Sequence, residues 1–388
     1  MFKTRRGLAL VLLVQMFMSS VWLAGGVVRV QAQSQNTERQ RRSTEAQQPQ
    51  QPKPTPTPPR QPKPADDDVT VQGDEVVRVE TDLTNILFSA IDKQRRFVTT
   101  LRQEDVRVLE DGQPQEVFTF ARQTDLPLSL AILIDTSISE ERTLPAEKSA
   151  ASDFINAVIR PNKDEAAIVS FTGEATLEQG LTGSIASIRR AIDRVEFVPP
   201  AGYIGNGQVV TGGTGTGTGT PPISNSTTQG STAIWDAVWI TSDEVLSQTS
   251  DKTRRAIILL TDGVDTSSNK KMAQAIERAI KADAVIYTIG IGDLYYGGIE
   301  EGTLRKVAEQ TGGRAFFPSD ESDLRAAFAQ IQEELRSQYL IAYSSSNKTR
   351  DGAYRRVQVE IVNPELRKQN MRLTYREGYF AKTAEDAR

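Results

Sequence analysis

Apart from its amines and guanidines, the side chains of this 388-residue sequence that could do chemistry are all oxygen donors. Histidine and cysteine are both absent. Ser-His-Asp and Cys-His nucleophiles, disulfides, zinc fingers and thiolate clusters are therefore excluded, and any metal must sit on oxygen. Three short stretches concentrate such oxygens: Asp135-Thr136-Ser137-Ile138-Ser139, Thr261-Asp262-Gly263, and the segment from Gly230 to Ala237 that carries Thr232. Together they offer two carboxylates, Asp135 and Asp262, and three hydroxyls, Ser137, Ser139 and Thr232. These are hard ligands, with few enough negative charges that a bound dication stays electrophilic, a set that suits Mg²⁺ with one open position. Mn²⁺ and Ca²⁺ are the alternatives, because spacing alone does not set cavity size.

The elements around these stretches place all three on one rim. Residues 128–134 (LSLAILI), 166–171, 256–260 (AIILL) and 284–291 (AVIYTIGI) are continuous β-rich apolar runs. They alternate with helical patterns at 146–159, 184–195, 232–246, 271–282 and 303–309. Buried strands alternating with helices predict an α/β fold with a doubly wound, mostly parallel sheet, whose ligands bind at the carboxyl ends of the strands. Asp135 and Asp262 each follow such a strand, and Thr232 opens a helix between them. Trp235 and Trp239, four apart on that helix, are expected to pack against the sheet. Asp265 reads as a helix cap near Asn269, a solvated charge or an outer-shell group.

By itself D-x-S-x-S reads first as a Ser-rich helix cap after a strand. In the order Asp135, Ser137, Ser139, then Thr232, then Asp262, with Leu-Thr-Asp-Gly closing the set, the chain resembles the metal-ion-dependent adhesion site of the von Willebrand factor type A domain. The resemblance covers about residues 125–337. It implies a Rossmann-like fold and a Mg²⁺ whose remaining position accepts a carboxylate from a protein partner. The flanks, such as residues 82–120 and the closing YLIAYSSS, DGAYRRVQVEIV and RLTYREGYF, resemble those of secreted bacterial proteins related to this family. A departure from the usual module is the insertion at 199–230, with GGTGTGTGT at 212–220, read as a flexible surface loop.

The flanks themselves alternate apolar and polar residues. Residues 75–92, a charged turn at 93–96 and a resumed strand at 97–101 form a hairpin pattern, repeated around Asp111-Gly112. The same alternation returns at 338–343, 354–362 and 371–375. Each end is too short for an independent core, so the two are expected to build one small β-sandwich around the inserted domain. The expected divisions are 70–124 for the first β-rich part, 125–337 for the inserted domain, 338–380 for the second β-rich part and 381–388 for a tail.

Ahead of these, Lys3, Arg5 and Arg6 precede an uncharged apolar run and the small-residue cleavage signal ending at Ala32. Residues 1–32 read as a signal peptide, or as a membrane anchor if uncleaved, placing the body in the secreted, periplasmic or cell-envelope space. Residues 33–69, rich in Pro and Gln, read as a disordered linker. The net charge of −4, carried by an acidic body, argues against nucleic acid as a partner.

The function these features favour is a non-enzymatic, extracytoplasmic binding module that captures an acidic group of a protein partner through its cation. The alternatives are a structural or assembly subunit whose metal only ties loops together, and a metal-dependent hydrolase with Asp265 or Glu140 as base.

Overall fold

The computed structural model describes residues 83–122, 126–199, 231–250, 252–292 and 298–383. The expected leader and linker, the start of the first β-rich part, nearly all of the 199–230 insertion and residues 384–388 of the expected tail lie outside these residues. The first tail residues instead join the β-rich part: Ala381 N donates to Ala353 O at 2.9 Å and Thr383 bridges to Asp351.

The first flank supplies β1 (Thr84–Ile91), β2 (Val106–Glu110), β3 (Gln113–Gln115) and β4 (Val117–Arg122). Asp111 and Gly112 both adopt positive φ, 47° and 81°, so β2 and β3 are joined by a two-residue turn that matches strand twist. The expected partner of β1 in a hairpin does not form: only Phe97 bridges back, to Ile91. Strands from the far end of the chain occupy both edges of β1. The segment after Phe97 is held instead by the Tyr339 hydroxyl, which accepts from Leu101 N at 3.0 Å and donates to Val98 O at 3.1 Å.

The middle of the chain runs β5 (Leu128–Asp135), α1 (Leu144–Val158), β6 (Glu165–Phe171), β7 (Ala175–Thr182), α2 (Ile185–Arg194), α3 (Ile234–Ile240), β8 (Arg254–Thr261), α4 (Met272–Lys281), β9 (Ala284–Gly290), α5 (Glu301–Thr311), β10 (Ala315–Phe316) and α6 (Glu321–Ser337). Its sheet has the order β10-β9-β8-β5-β6-β7, parallel except for the edge strand β7. Strand alternation divides the apolar runs between two layers. Leu130, Ile132 and Ile134 face α1, α2 and α6, whereas Ala131 and Leu133 face α3 and α4. Every residue of β5 and β8 is buried, which is why those runs are unbroken by polar side chains. Pro145 sits in the first turn of α1, where its missing N–H costs nothing, and Arg160-Pro161 prevents continuation past the helix end. Gly312 ends α5 at φ 86°, a left-handed C-terminal cap.

The chain after β5 crosses to one face and the chain after β8 to the other. The boundary between β5 and β8 is thus the topological switch point, where the carboxyl ends of a doubly wound sheet leave a crevice.

The second flank supplies β11 (Tyr339–Tyr343), β12 (Tyr354–Ile361), α7 (Pro364–Arg367), β13 (Arg372–Tyr375) and β14 (Gly378–Phe380). Two antiparallel sheets result, β13-β1-β11-β4 and β14-β12-β2-β3. Phe88, Tyr339 and Ile341 from one and Val106, Val108, Val357 and Val359 from the other share a single core, giving the small sandwich built from both ends. Tyr339 pairs with Arg122, so the chain leaves for the central sheet on β4 and returns on its neighbour β11. A buried polar hub adds specificity: Glu110 accepts from the hydroxyls of Tyr343 and Tyr379, each at 2.9 Å, and from Arg355.

Candidate metal centre

Asp135 is the last residue of β5 and is fully buried. Its Oδ1 accepts from the backbone N–H of Ser137 at 2.9 Å and its Oδ2 from the Thr261 hydroxyl at 2.6 Å. The first bond bends the chain so that Ser137 begins a 3₁₀ turn at Ile138–Glu140. That turn brings the Ser137 and Ser139 hydroxyls to 3.1 Å from each other. Across the switch point, a carboxylate oxygen of Asp262 lies within 4.8 Å of one of Asp135, and Asp262 Oδ1 accepts from Val264 N at 2.8 Å. Gly263 between them has φ 87°, and a Cβ there would lie 2.9 Å from Leu304, so this turn requires glycine.

Asp135, Ser137 and Ser139 are therefore joined by hydrogen bonds, and Asp262 faces Asp135 across the crevice. Thr232 reaches the same rim through its backbone. Its N–H donates to the Thr266 hydroxyl at 2.7 Å and its carbonyl accepts from Thr266 N and Ser267 N. The next residue, Ala233, donates to Thr172 O at 2.7 Å. Thr232 is thus clamped between the loops that follow β6 and β8, and is itself buried.

Asp265 is not a cap near Asn269. Its Oδ1 accepts from Ile234 N at 2.8 Å and from the Ser268 hydroxyl at 2.5 Å, so it caps α3 from the β8 exit loop. Asn269 and Lys270 instead donate their N–H groups to Asp236. Trp235 is buried as expected. Trp239 is only half-buried, and the Lys270 ammonium lies 4.5 Å from its ring centroid.

Two contributors go beyond the five residues read from sequence. Thr261 fixes the inner oxygen of Asp135, and its signal was the Thr of Leu-Thr-Asp-Gly. Glu140 is fully buried, and one carboxylate oxygen each from Asp135, Glu140 and Asp262 lie within 4.8 Å of one another.

Burial pushes the Asp135 carboxyl up to about 7, against hydrogen bonds from Thr261 and Ser137 that oppose the shift. Burial likewise raises Asp262, and burial with the charges of Glu147 and Asp135 raises Glu140 well above the carboxylate range. So much desolvated negative charge is costly unless a proton or a cation answers it. The donor set, all carboxylate and hydroxyl oxygen in a buried crevice, fits a hard divalent cation.

A doubly wound α/β domain with an acid- and hydroxyl-lined crevice at its switch point is the class that fold and site define. Two family models, both described as von Willebrand factor type A domain, match residues 130–264 and 223–332. The chain carries a von Willebrand factor type A domain and belongs to that family.

Among solved structures, proximal thread matrix protein 1 from the mussel byssus is 21% identical with a TM-score of 0.43, over 58% of this chain and 51% of that one. This chain thus spans about half the length of that protein. A second structure of the mussel protein, described as having a zinc-occupied MIDAS motif, is 20% identical with a TM-score of 0.43, over 59% and 50%. A von Willebrand factor type A protein from Catenulispora acidiphila is 16% identical with a TM-score of 0.41, over 80% of this chain and 76% of that one. No curated protein matches the chain. No helix among the described residues is long and apolar enough to cross a membrane.

Proposed function

We propose that the domain is a non-enzymatic binding module that works outside the cytoplasm and grips an acidic group of a protein partner through a divalent cation. Asp135, Ser137, Ser139, Thr232 and Asp262 hold the cation, with Mg²⁺ the first choice on the hardness of the ligands. The observation that carries this reading is the hydrogen-bonded set of Asp135, Ser137 and Ser139 at the switch point, with a carboxylate oxygen of Asp262 within 4.8 Å of one of Asp135. The basic, apolar start of the chain, with its small-residue cleavage signal, supports export. The secreted bacterial branch of the family is the reading that the flanking sequences favour.

In this reading the cation supplies electrophilic capture of a carboxylate, and the protein positions the ligands. Thr261 orients Asp135, Gly263 lets the β8 exit turn inward, and Asp265 caps α3 so that Thr232 stays on the rim. For the hydrolase reading, one oxygen of Asp265, Oδ1, is engaged in the α3 cap. The structural reading is favoured by one observation: Asp135 is fully buried and Asp262 only 5% exposed, as expected of an ion that ties loops together.

The test is calorimetric titration of the full chain with Mg²⁺, followed by capture of a carboxylate-bearing surface with and without chelator, for wild type and Asp135→Ala. Saturable binding and chelator-sensitive capture, both lost in the variant, support the module. Cation binding without any chelator-sensitive capture favours the structural role.

A further inference from the structure

Behind the crevice lies a pair of acids that the five-ligand set does not use. Glu140 and Glu147 are both fully buried. Glu140 accepts from the Thr143 hydroxyl at 2.7 Å through Oε2, while its Oε1 has no hydrogen-bond partner. Neither oxygen of Glu147 has one. A buried carboxyl oxygen left without a partner is expensive and rarely retained without a reason. The two acids differ in one respect. Glu140 presents an oxygen within 4.8 Å of those of Asp135 and Asp262, and Glu147 does not belong to that trio.

We propose that Glu140 is a further ligand of the cation, so that the centre holds its metal with three carboxylates, Asp135, Glu140 and Asp262, rather than two. The proposal rests on the reading of this crevice as a metal site and adds the residue that completes its inner wall. The backbone makes the placement possible. The 3₁₀ turn at Ile138–Glu140 starts from Ser137, and Glu140 N donates back to Ser137 O at 3.0 Å. The turn thereby carries Glu140 into the interior, while Glu141 stays partly exposed. Thr143 fixes one carboxylate oxygen and leaves the other for the metal, as an outer-shell donor does for a ligating carboxylate. With three carboxylates the dication is more than neutralised. The centre then retains its ion without help from a partner and tolerates the larger oxygen shell of Ca²⁺.

The experiment compares the full chain with Glu140→Gln, Glu147→Gln and Asp135→Ala, titrated with Mg²⁺ and with Mn²⁺ by calorimetry and melted with and without each ion. Gln keeps the size of Glu and its bond to Thr143 while removing the charge. The expected result is a loss of cation affinity of about tenfold or more in Glu140→Gln, with little change in Glu147→Gln. The metal-free Tm should meanwhile rise or hold in Glu140→Gln, because a buried acid lacking a full set of partners has been removed, whereas simple misfolding would lower it.

Unchanged affinity in Glu140→Gln, with binding still lost in Asp135→Ala, overturns the ligand role of Glu140 and leaves the metal site standing. Equal losses in Glu140→Gln and Glu147→Gln also overturn it, since the effect would then be one of general charge. No binding by wild type overturns the metal site itself, and the role of Glu140 with it.

Discussion

The Thr261 hydroxyl donates to Asp135 Oδ2 at 2.6 Å across the boundary between β8 and β5. Thr261 is the last residue of β8 and Asp135 the last of β5, so one bond ties the two strand ends that frame the crevice. It also leaves Oδ1 to Ser137 N and thereby fixes the direction in which Asp135 presents its charge. Thr261 is fully buried, and Val would fill its volume without the donor. Thr261→Val is expected to weaken cation binding about tenfold and to cost about 1 kcal/mol of stability. Calorimetry and urea unfolding measure the two effects, and an unaltered affinity would show that Asp135 needs no such orientation.

Asp265 joins the β8 exit loop to the start of α3. Asp265→Ala leaves Ile234 N and the Ser268 hydroxyl without their acceptor and is expected to destabilise the chain by about 1–2 kcal/mol. Because Trp235 lies one residue into the capped turn, its fluorescence should shift in the native state as well. A variant with wild-type stability and wild-type emission would argue that the cap is dispensable.

The pair Arg160–Asp164 predicts a pH dependence. Asp164 is buried, accepts from Arg160 Nε at 2.6 Å and from Leu128 N at 3.0 Å, and so links the end of α1 to the start of β5. Burial alone would raise its carboxyl, but the hydrogen bonds and charge of Arg160 outweigh it and hold the group below its ordinary value. A depressed folded pKa means stability that is present above the unfolded value of about 4 and lost as pH falls through the folded one. Asp164→Asn should therefore cost about 3 kcal/mol at neutral pH, and its difference from wild type should shrink steadily below about pH 4. A difference independent of pH between 7 and 3, read by urea unfolding, would contradict the pairing.

The sandwich depends on both ends of the chain. Both neighbours of β1, namely β11 and β13, come from beyond residue 337, and Phe88 on β1 stacks on Tyr339 at 5.0 Å between ring centroids. A chain ending at Ser337 should lose hydrogen-exchange protection throughout β1–β4 while β5 and β8 keep theirs. Continued protection of β1 in that truncation would mean that the first flank folds alone.

The parts of this architecture that were legible in the sequence are those where a single force acts along the whole element. β5, β6, β8 and β9 are buried on both faces, so their apolar runs announce them. β7 (ATLEQGLT) lies on the sheet edge with a mixed burial pattern, and no apolar run marks it. The helix α6 carries Leu324, Ala327, Phe328, Ile331 and Leu335 at helical spacing, a signal present in the sequence but absent from the alternation drawn above. Strand pairing was less legible than strand existence. The alternation in residues 84–101 suggests a local hairpin, yet the partners of β1 lie some 250 residues away, a choice made by the shared core and not by the turn. Around the crevice, motif order alone names the proposed ligands Asp135, Ser137, Ser139, Thr232 and Asp262. Glu140 entered only as a base of the hydrolase alternative, because its burial beside Asp135 and Asp262 depends on the 3₁₀ turn that follows Ser137. Asp265 was ambiguous for a related reason: its acceptor role depends on α3, whose start is distant in sequence.

The central claim is that the crevice at the β5–β8 boundary binds a divalent cation on Asp135. Its most direct test is the Tm of the full chain with and without Mg²⁺, wild type beside Asp135→Ala. Binding to the native state alone adds stability as the ion concentration rises above its dissociation constant, about 2.7 kcal/mol at a hundredfold excess. The account predicts a clear rise in wild type that saturates with Mg²⁺ and no rise in the variant, whose own metal-free Tm is the baseline because Ala also leaves Ser137 N and the Thr261 hydroxyl without their acceptor. Equal rises in both proteins, or none in wild type, would contradict it.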